Sequence, residues 1–374
     1  YEISGRGRKG LQEPTEILNC GNSGTTMRLL TGALVAQPVF SILTGDASLR
    51  NRPMDRVIEP LRSMGGHILG RASHTKAPLA ILGSQRLQAK THALPVASAQ
   101  VKSAILLAGL GAEGTTVVRE PARSRNHTEV MLRHLGVPIE VDGLEVAIQG
   151  GTVPRGGHII VPGDISSAAY LMVAGAILPD SDITIRNVGI NPTRAGIIRV
   201  LQSMGADLTT EPKVAEGEPR ATIRIRTSAL QGADVGGAII PTLIDELPVL
   251  AVAAACANGT TRIRDAGELR VKECDRIAVM GWEMARLGVD IREEVDGWTI
   301  RGGQRILGGE VSGHGDHRVV MALAVLGLAS EQQLSIDGAE VITVSFPGFC
   351  STFQHLGAGM KRKMIDQDPA EDMT

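Results

Sequence analysis

The stretch Leu61-Arg62-Ser63-Met64-Gly65-Gly66 (LRSMGG) is the key to the fold, because similar phrases recur along the chain. They follow one another at intervals of about 70 to 80 residues, too long for a solenoid of short repeats and suited to a small α/β unit. The later copies are LRHLGV from Leu132, LQSMGA from Leu201, MARLGV from Met284 and FQHLGA from Phe353. The sequence therefore contains one unit several times over.

Each phrase predicts a helix that ends and a strand that follows. Its glycine can take the left-handed conformation that closes many helices, and an alternating segment such as residues 137–141 comes next. Upstream stand a polar loop, an Ala- and Leu-rich helix without charge, and a β-rich segment such as residues 115–119. A helix without charged residues must be buried on all sides. We therefore predict an α/β protein built around buried helices.

The repeat also predicts the domain organisation. Five copies are present, and residues 1–20 have the pattern of the end of a sixth, so we expect the first repeat unit to lie outside this chain. Six units divide naturally into two domains of three, and we place these domains at residues 1–161 and 162–360. Residues 211–220 are predicted to be a surface hairpin or loop, and the charged tail at 361–374 to be disordered.

The composition excludes several classes of protein. The chain has 374 residues, a net charge of −2 and 43% hydrophobic residues, as expected of a globular protein with room for two cores. It has no basic field for nucleic acid, and its longest apolar stretches, such as 168–178, are about half the length that a bilayer requires. The four cysteines stand far apart, which predicts neither disulfides nor a zinc site and fits the cytoplasm. The first residue is Tyr1, so a processed or truncated start is expected.

Three polar loops precede apolar helices and are candidate anion sites. They occupy residues 22–26, 163–167 and 315–318, where unpaired backbone N–H groups and the helix dipole would attract negative charge. The ordinary alternative for each loop is a helix N-cap. Arginines at or near such loops could bind phosphate or carboxylate with two parallel hydrogen bonds from the guanidinium group. A single arginine, however, is more often a solvated surface residue. These arginines are Arg28, Arg52, Arg276 and Arg318.

Acidic and basic residues concentrate at Asp245-Glu246 and at residues 270–276 (RVKECDR). A carboxylate and a lysine close to bound anions can transfer protons when their pKa values shift towards neutrality. The alternative is a ladder of salt bridges along an exposed helix. Both interpretations are open from the residues alone.

Seven motifs in order resemble the 5-enolpyruvylshikimate-3-phosphate (EPSP) synthase family of enolpyruvyl transferases. They are LNCGNSGTTMRLL from residue 18, NRPMDR from 51, SAQVKSA from 98, DELPVLA from 245, LRVKECDR from 269, GDHR from 315 and SFPGF from 345. The resemblance implies an α/β fold of two domains, the inside-out α/β barrel, built from repeated βαβαββ units of which five of the six are present here. The two domains would close like a clamp on the substrates. It also implies transfer of the enolpyruvyl group of phosphoenolpyruvate to the 5-hydroxyl of shikimate 3-phosphate.

The resemblance implies a role for particular residues. Phosphoenolpyruvate would be bound by Gly24, Arg52, Gln100, Arg276 and Arg318, the last two through its carboxylate. Shikimate 3-phosphate would be bound by Ser98, Ala99, Gln100, Ser124, Asp245 and Lys272. Asp245 would accept the proton of the attacking hydroxyl, and Lys272 and Glu273 would serve the enolpyruvyl methylene. The resemblance implies that no metal or organic cofactor is needed and that glyphosate is an inhibitor. We expect the chain to be a cytoplasmic monomer.

The sequence departs from the family pattern at three places. Val344 stands where many members have lysine, Leu29 where many have proline, and the expected first unit would carry further substrate-binding residues. An inactive fragment, or one completed by a partner, is therefore an alternative. UDP-N-acetylglucosamine enolpyruvyl transferase is a further one, although the loop at residues 45–50 lacks that family's cysteine.

Overall fold

The structure is a computed structural model that describes residues 1–5, 7, 10–84, 86–213 and 217–363. It contains two units, the first formed by residues 1–160 with Gly217 and Glu218, and the second by the remainder from Val161. The boundary expected from the sequence lies after residue 161. Of the predicted disordered tail, residues 364–374 lie outside the described part of the chain.

The first unit contains two copies of one βαβαββ arrangement. The elements of the first copy are β1 (Leu18–Asn19), α1 (Gly24–Val35), β2 (Phe40–Thr44), α2 (Ala47–Asn51), α3 (Asp55–Ser63), β3 (His67–Gly70), a left-handed turn α4 (Arg71–His74) and β4 (Lys76–Leu82). Those of the second are β5 (Thr91–Ala93), α5 (Ala99–Gly109), β6 (Thr115–Arg119), α6 (His127–His134), β7 (Ile139–Asp142) and β8 (Glu145–Gln149). The sheet orders β1-β2-β4-β3 and β5-β6-β8-β7 are equivalent.

The second unit repeats the arrangement. Its elements are α7 (Ile165–Ile177), β9 (Asp182–Gly189), α8 (Gly196–Ser203), β10 (Asp207–Lys213), β11 (Arg220–Arg226), β12 (Asp234–Val235), α9 (Leu247–Cys256), β13 (Thr260–Ile263), α10 (Arg276–Arg286), β14 (Asp290–Glu294), β15 (Gly297–Arg301), β16 (Gly309–Ser312), α11 (His317–Leu328), β17 (Leu334–Asp337) and α12 (Phe349–His355). Short 3₁₀ helices occupy Gly237–Thr242, Gly267–Val271 and Ala339–Val344. The order β12-β13-β15-β14 matches both sheets of the first unit.

Two other groups of strands are shorter versions of this sheet. The order β10-β11-β9 lacks a full first strand, whose place is taken by a parallel bridge from Gly163 to Val188. The other group has two strands, β16 and β17, which pair in parallel and are connected by α11. β10 and β11 pair antiparallel, with Lys213 opposite Arg220, as expected of the hairpin alternative for residues 211–220, of which 214–216 lie outside the described residues. Five copies of the unit are therefore recognisable in the described residues.

The helix ends confirm the interpretation of the repeated phrase. In all five copies the glycine has a positive φ, from +76° at Gly136 to +97° at Gly65, and the helix before it ends two residues earlier. Only glycine takes this conformation without strain, so it stops the helix and turns the chain into the next strand.

The buried helices carry the two cores. Residues 168–176 of α7 and 247–255 of α9 are all buried, as the absence of charge predicts. Each unit encloses its own cluster of buried apolar side chains, around α1 and α5 in the first unit and around α7, α9 and α11 in the second.

Within the first unit, α1 and α5 approach each other backbone to backbone. A Cβ added at Gly32 would lie 2.2 Å from the carbonyl oxygen of Ala104. Only glycine fits this position, so the two helices that carry several predicted site residues pack backbone to backbone here. In the described part of the chain, no helix is long and apolar enough to cross a membrane.

Candidate active site

The first cluster of predicted site residues surrounds the N-terminus of α1. Ser23 caps the helix, because its Oγ accepts a hydrogen bond from the backbone N of Thr26 at 3.1 Å. Gly24 is the first helical residue, and two guanidinium groups flank it. A Cβ added there would lie 3.0 Å from Nη1 of Arg28 and 3.4 Å from Nη1 of Arg52. Glycine therefore gives both arginines access to this end of the helix.

Hydrogen bonds hold the side chains of this cluster in place. Arg28 donates from Nη1 to Oε1 of Gln100 at 2.5 Å, and Gln100 donates from Nε2 to Oγ1 of Thr25 at 2.7 Å. Arg52 donates from Nη2 to Oδ1 of Asn22 at 2.8 Å. Gln100 and Arg52, both predicted ligands of phosphoenolpyruvate, thus meet at the start of α1.

The electrostatic environment of this cluster favours an anion. Burial and the positive charges of Arg52 and Arg56 lower the pKa of Arg28. A negative group bound here would relieve the repulsion between these guanidinium groups, and the helix dipole acts in the same direction.

The predicted ligands of shikimate 3-phosphate in this unit lie at two helix starts. Ser98 caps α5, its Oγ accepting from the backbone N of Val101 at 3.4 Å, and Ala99 is the first helical residue. Ser124 lies in the loop between β6 and α6. Its Oγ is buried without a hydrogen-bond partner among the described residues. Because a buried hydroxyl without a partner is costly, a ligand oxygen would be a suitable partner for it.

The second cluster lies at helix N-termini of the second unit and centres on Asp245. This residue precedes α9, and its side chain is 15% exposed. Its Oδ2 accepts from Nη1 of Arg194 at 2.9 Å, and its backbone carbonyl accepts from Nη1 of Arg318 at 3.0 Å. Nη1 of Arg276 lies 3.9 Å from the other carboxylate oxygen, Oδ1. Three arginines therefore surround the predicted proton acceptor.

Arg276 is buried, with a side-chain exposure of 1%, and carboxylates bind most of its guanidinium. Nε donates to Oδ2 of Asp316 at 2.7 Å, and Nη2 donates to Oε2 of Glu273 at 2.6 Å. Nη1 is buried without a hydrogen-bond partner in the part of the chain that the structure describes. It is therefore the one nitrogen of this guanidinium that no carboxylate of the described residues binds at hydrogen-bonding distance.

Asp316 binds Arg276 through both of its carboxylate oxygens. Burial alone would raise the pKa of Asp316, but Arg276 and the backbone N–H of Arg318 hold it below its usual value. Asp316 also caps α11, which begins at His317 and carries Arg318. The GDHR motif thus carries Arg318 at the start of α11 and, through Asp316, orients Arg276.

Lys272 and Glu273 follow the 3₁₀ helix Gly267–Val271, and both bind neighbours along the chain. Lys272 donates from Nζ to Oε1 of Glu268 at 2.5 Å, and Glu273 is bound to Arg276. These pairs have the i,i+4 and i,i+3 spacing of the salt-bridge alternative, but they do not lie along one exposed helix, because Lys272 and Glu273 follow the 3₁₀ helix and Arg276 is buried. Glu273 binds the same guanidinium as Asp316, so its carboxyl group lies beside the arginine cluster.

Sequence reasoning missed Arg194, which is 9% exposed and binds both Asp245 and Glu246. Its signal was the segment Asn191-Pro192-Thr193-Arg194 directly before α8, a polar turn that none of the three candidate loops included. Residues 51 positions apart form this pair, so no local pattern indicated it. Among the described residues, no three His, Cys, Asp or Glu side chains come together as metal ligands would.

The chain matches known proteins along most of its length. Residues 1–353 match the family model described as EPSP synthase (3-phosphoshikimate 1-carboxyvinyltransferase). A protein of that name from Synechococcus elongatus is 52% identical over 358 residues, which cover 95% of this chain and 80% of the relative. One from Desulforudis audaxviator is 52% identical over 355 residues, covering 95% and 82%.

Solved structures give the same result. The structure of EPSP synthase from Acinetobacter baumannii at 2.37 Å superposes with a TM-score of 0.88 at 45% sequence identity, covering 93% of this chain and 80% of that one. A second structure of the enzyme from that organism gives a TM-score of 0.87 at 44% identity. These similarities confirm the predicted two-domain α/β fold.

Proposed function

The chain belongs to the EPSP synthase family, and on this premise we propose which of its residues carry the reaction. The family transfers the enolpyruvyl group of phosphoenolpyruvate to the 5-hydroxyl of shikimate 3-phosphate and releases phosphate, in the biosynthesis of chorismate and the aromatic amino acids. The chain is accordingly a transferase. Neither the fragment alternative nor the UDP-N-acetylglucosamine alternative is favoured by the matches.

The observation that supports the assignment best is the arginine cluster around Asp245. Arg276 and Arg318 bind the carboxylate of phosphoenolpyruvate, because guanidinium forks match that group in shape and charge. Arg276 lies 3.9 Å from the Asp245 carboxylate and Arg318 binds the backbone carbonyl of Asp245, which supports a reacting carbon close to a carboxylate that can accept a proton. Gly24, Arg52 and Gln100 bind the phosphate of the same substrate.

The second substrate is bound by hydroxyl, amide, carboxylate and ammonium groups. Ser98, Ala99, Gln100 and Ser124 receive the phosphate of shikimate 3-phosphate at the N-termini of α5 and α6. Asp245 and Lys272 bind its ring hydroxyls. Asp245 therefore contacts the oxygen that attacks.

The reaction proceeds by addition and elimination. The hydroxyl oxygen bonds to C2 of phosphoenolpyruvate while its proton passes to Asp245, and Lys272 or Glu273 protonates C3. C3 then returns that proton, the C2–O bond to phosphate breaks, and phosphate leaves with the proton that the hydroxyl lost. Catalysis rests on positioning and on charge stabilisation by the arginines.

We expect Asp245→Asn and Glu273→Gln to lower kcat by roughly 10²–10⁴, the usual contribution of a positioned acid or base. Substrate affinity should change much less. The measurement is a steady-state phosphate-release assay on the protein expressed from its native reading frame. Asp290→Asn, an exposed carboxylate on β14, is the control and should keep the wild-type kcat. A wild-type kcat in both site variants would contradict the assignment.

The finer properties are proposals as well. The four cysteines are free thiols, which is the usual state in a reducing cytoplasm. Each unit encloses its own core, which is compatible with a monomer. Light scattering during size-exclusion chromatography would give the mass of one chain if the enzyme is monomeric and of two if it is not.

A further inference from the structure

Arg194 is a buried arginine to which the proposed reaction assigns no role. It ends a turn whose backbone is fixed before α8 begins, since its own N–H donates to the carbonyl of Asn191 at 2.8 Å. Thr193 also binds Asn191, its N–H and Oγ1 donating to Oδ1 at 2.9 and 2.7 Å. The backbone from which the guanidinium group extends is therefore held by three hydrogen bonds to Asn191.

The side chain of Arg194 connects the N-termini of α7, α8 and α9. Nη1 donates to Oδ2 of Asp245 at 2.9 Å, and Nη2 donates to Oγ of Ser166, in the first turn of α7, at 2.6 Å. Nη2 also lies 3.3 Å from Oε1 of Glu246, the acceptor of the Ser166 hydroxyl proton. One planar group thus binds two consecutive carboxylates and a hydroxyl, which fixes its plane.

The two carboxylates do not share this guanidinium equally. Burial raises the pKa of Glu246, against the opposing charges of Arg194 and Arg318, and Oε2 of Glu246 is buried without a hydrogen-bond partner among the described residues. Its charged form is therefore disfavoured relative to that of a solvated carboxyl group. The shorter contact of Arg194, and the less buried carboxylate, belong to Asp245.

Two hydrogen bonds of Asp245 fix the orientation of its carboxylate group. Arg194 binds Oδ2, and the backbone carbonyl binds Arg318, so neither the carboxylate nor its main chain can rotate without losing a charge-assisted hydrogen bond. Oδ1 is then the oxygen on the side of Arg276, at 3.9 Å from Nη1. We propose that Arg194 is a positioning residue of the reaction, which turns Oδ1 of Asp245 towards the substrate held by Arg276. This inference rests on the proposed role of Asp245 as the proton acceptor.

The test compares Arg194→Gln, Arg194→Lys and the control Arg199→Gln, an exposed arginine on α8. Misplacing a reacting group by about 1 Å can lower the rate by about 10²-fold, so we expect Arg194→Gln to lower kcat roughly 10- to 100-fold. KM for both substrates should stay within about threefold, because Arg194 binds neither of them. Lysine keeps the charge but has no fork, so Arg194→Lys should have an intermediate kcat. Arg199→Gln should match the wild type.

A double-mutant cycle separates positioning from a purely structural role. If Arg194 acts through Asp245, adding Arg194→Gln to Asp245→Asn should change kcat by less than about threefold, since interacting residues are not additive. Losses that multiply in the double variant, or a loss carried by KM instead of kcat, would overturn the inference. Should Arg194→Gln fail to fold, the cycle is run with Arg194→Lys, for which the same two outcomes decide.

The same experiment distinguishes failure of this inference from failure of the proposed function. A wild-type kcat in Asp245→Asn would overturn the role of Asp245 and the inference with it. A reduced kcat in Asp245→Asn together with a wild-type kcat in Arg194→Gln would overturn the inference alone.

Discussion

The lack of a side chain at Gly24 leaves room for two guanidinium groups at the start of α1. The two guanidinium groups beside it are so close that a methyl group would be in tight contact with Arg28, which in turn holds Gln100. Any change at this position is therefore transmitted to two other predicted ligands of phosphoenolpyruvate.

We expect Gly24→Ala to raise KM for phosphoenolpyruvate roughly tenfold or more, because overpacking of this kind costs about 1–3 kcal/mol. KM for shikimate 3-phosphate should change much less, and the inhibition constant for glyphosate should rise at least as much as KM for phosphoenolpyruvate. Steady-state kinetics with each substrate varied in turn measures all three. Gly157→Ala, with no atom within 4 Å of the added Cβ, is the control and should change none of them. An unchanged inhibition constant in Gly24→Ala would remove this glycine from the site.

Several residues of the candidate site stand in local patterns that the sequence displays, but Arg194 and the partners of these residues could not be predicted from it. Gly24 and Arg318 stand in motifs that the sequence displays directly, because a polar loop next to an apolar helix is a local pattern. The pairing of Arg276 with Asp316 joins positions 40 residues apart, and that of Arg194 with Asp245 joins positions 51 apart. Such contacts depend on which helix N-termini the repeated unit brings together. The roles assigned to these residues remain predictions.

At the scale of elements, α5 contains the main exception to the pattern of uncharged buried helices. Lys102 lies one turn after the predicted ligands at its N-terminus, and its side chain is 2% exposed. Its Nζ is 2.7 Å from Glu120, directly after β6, and 2.7 Å from Glu129 on α6. A charged residue is acceptable in this helix because two elements of the same sheet-and-helix unit supply carboxylates to it.

We expect Lys102→Met to destabilise the first unit by about 3–5 kcal/mol, because removing one partner of a buried ion pair leaves the other charge uncompensated. Adding Glu120→Gln and Glu129→Gln should recover part of the loss, since amides are far less costly to bury than carboxylates. Urea unfolding gives the free energies. The control is Lys90→Met at an exposed position, which should change the free energy of unfolding by less than about 0.5 kcal/mol. A loss no larger than that of the control would show that the cluster does not stabilise α5.

Helix ends were the part of the fold most accessible from sequence. Each depends on a glycine and on the turn before it, so the recurring phrase located five of them. The order of strands in the sheets was not evident, since it requires knowing which segments pair across a crossover helix. The resemblance implied the βαβαββ unit, and the three equivalent sheets display it.

The whole molecule contains two separate cores. The buried apolar cluster of the first unit includes Leu106 of α5, and that of the second includes Leu250 of α9. No residue belongs to both clusters in the part of the chain that the structure describes. A cavity made in one core should therefore act mainly on the unit that contains it.

We expect Leu106→Ala and Leu250→Ala each to destabilise its own unit by about 2–5 kcal/mol, as truncation of a buried leucine usually does. Hydrogen exchange followed by mass spectrometry reports on peptides from each unit separately. Amides of the first unit should exchange faster in Leu106→Ala, and those of the second in Leu250→Ala. Equal acceleration of both units in either variant would show that the chain unfolds as one cooperative block.

The contact between Gly32 and Ala104 has a practical consequence for protein engineering. Because a Cβ at Gly32 would lie 2.2 Å from the carbonyl oxygen of Ala104, the crossing of α1 and α5 has no room for a side chain on that residue. A library that aims to separate substrate from inhibitor therefore has little to gain from positions along the shared helix interface. Useful diversity is confined to the side chains of the first turns, where a new shape alters the site without moving its support.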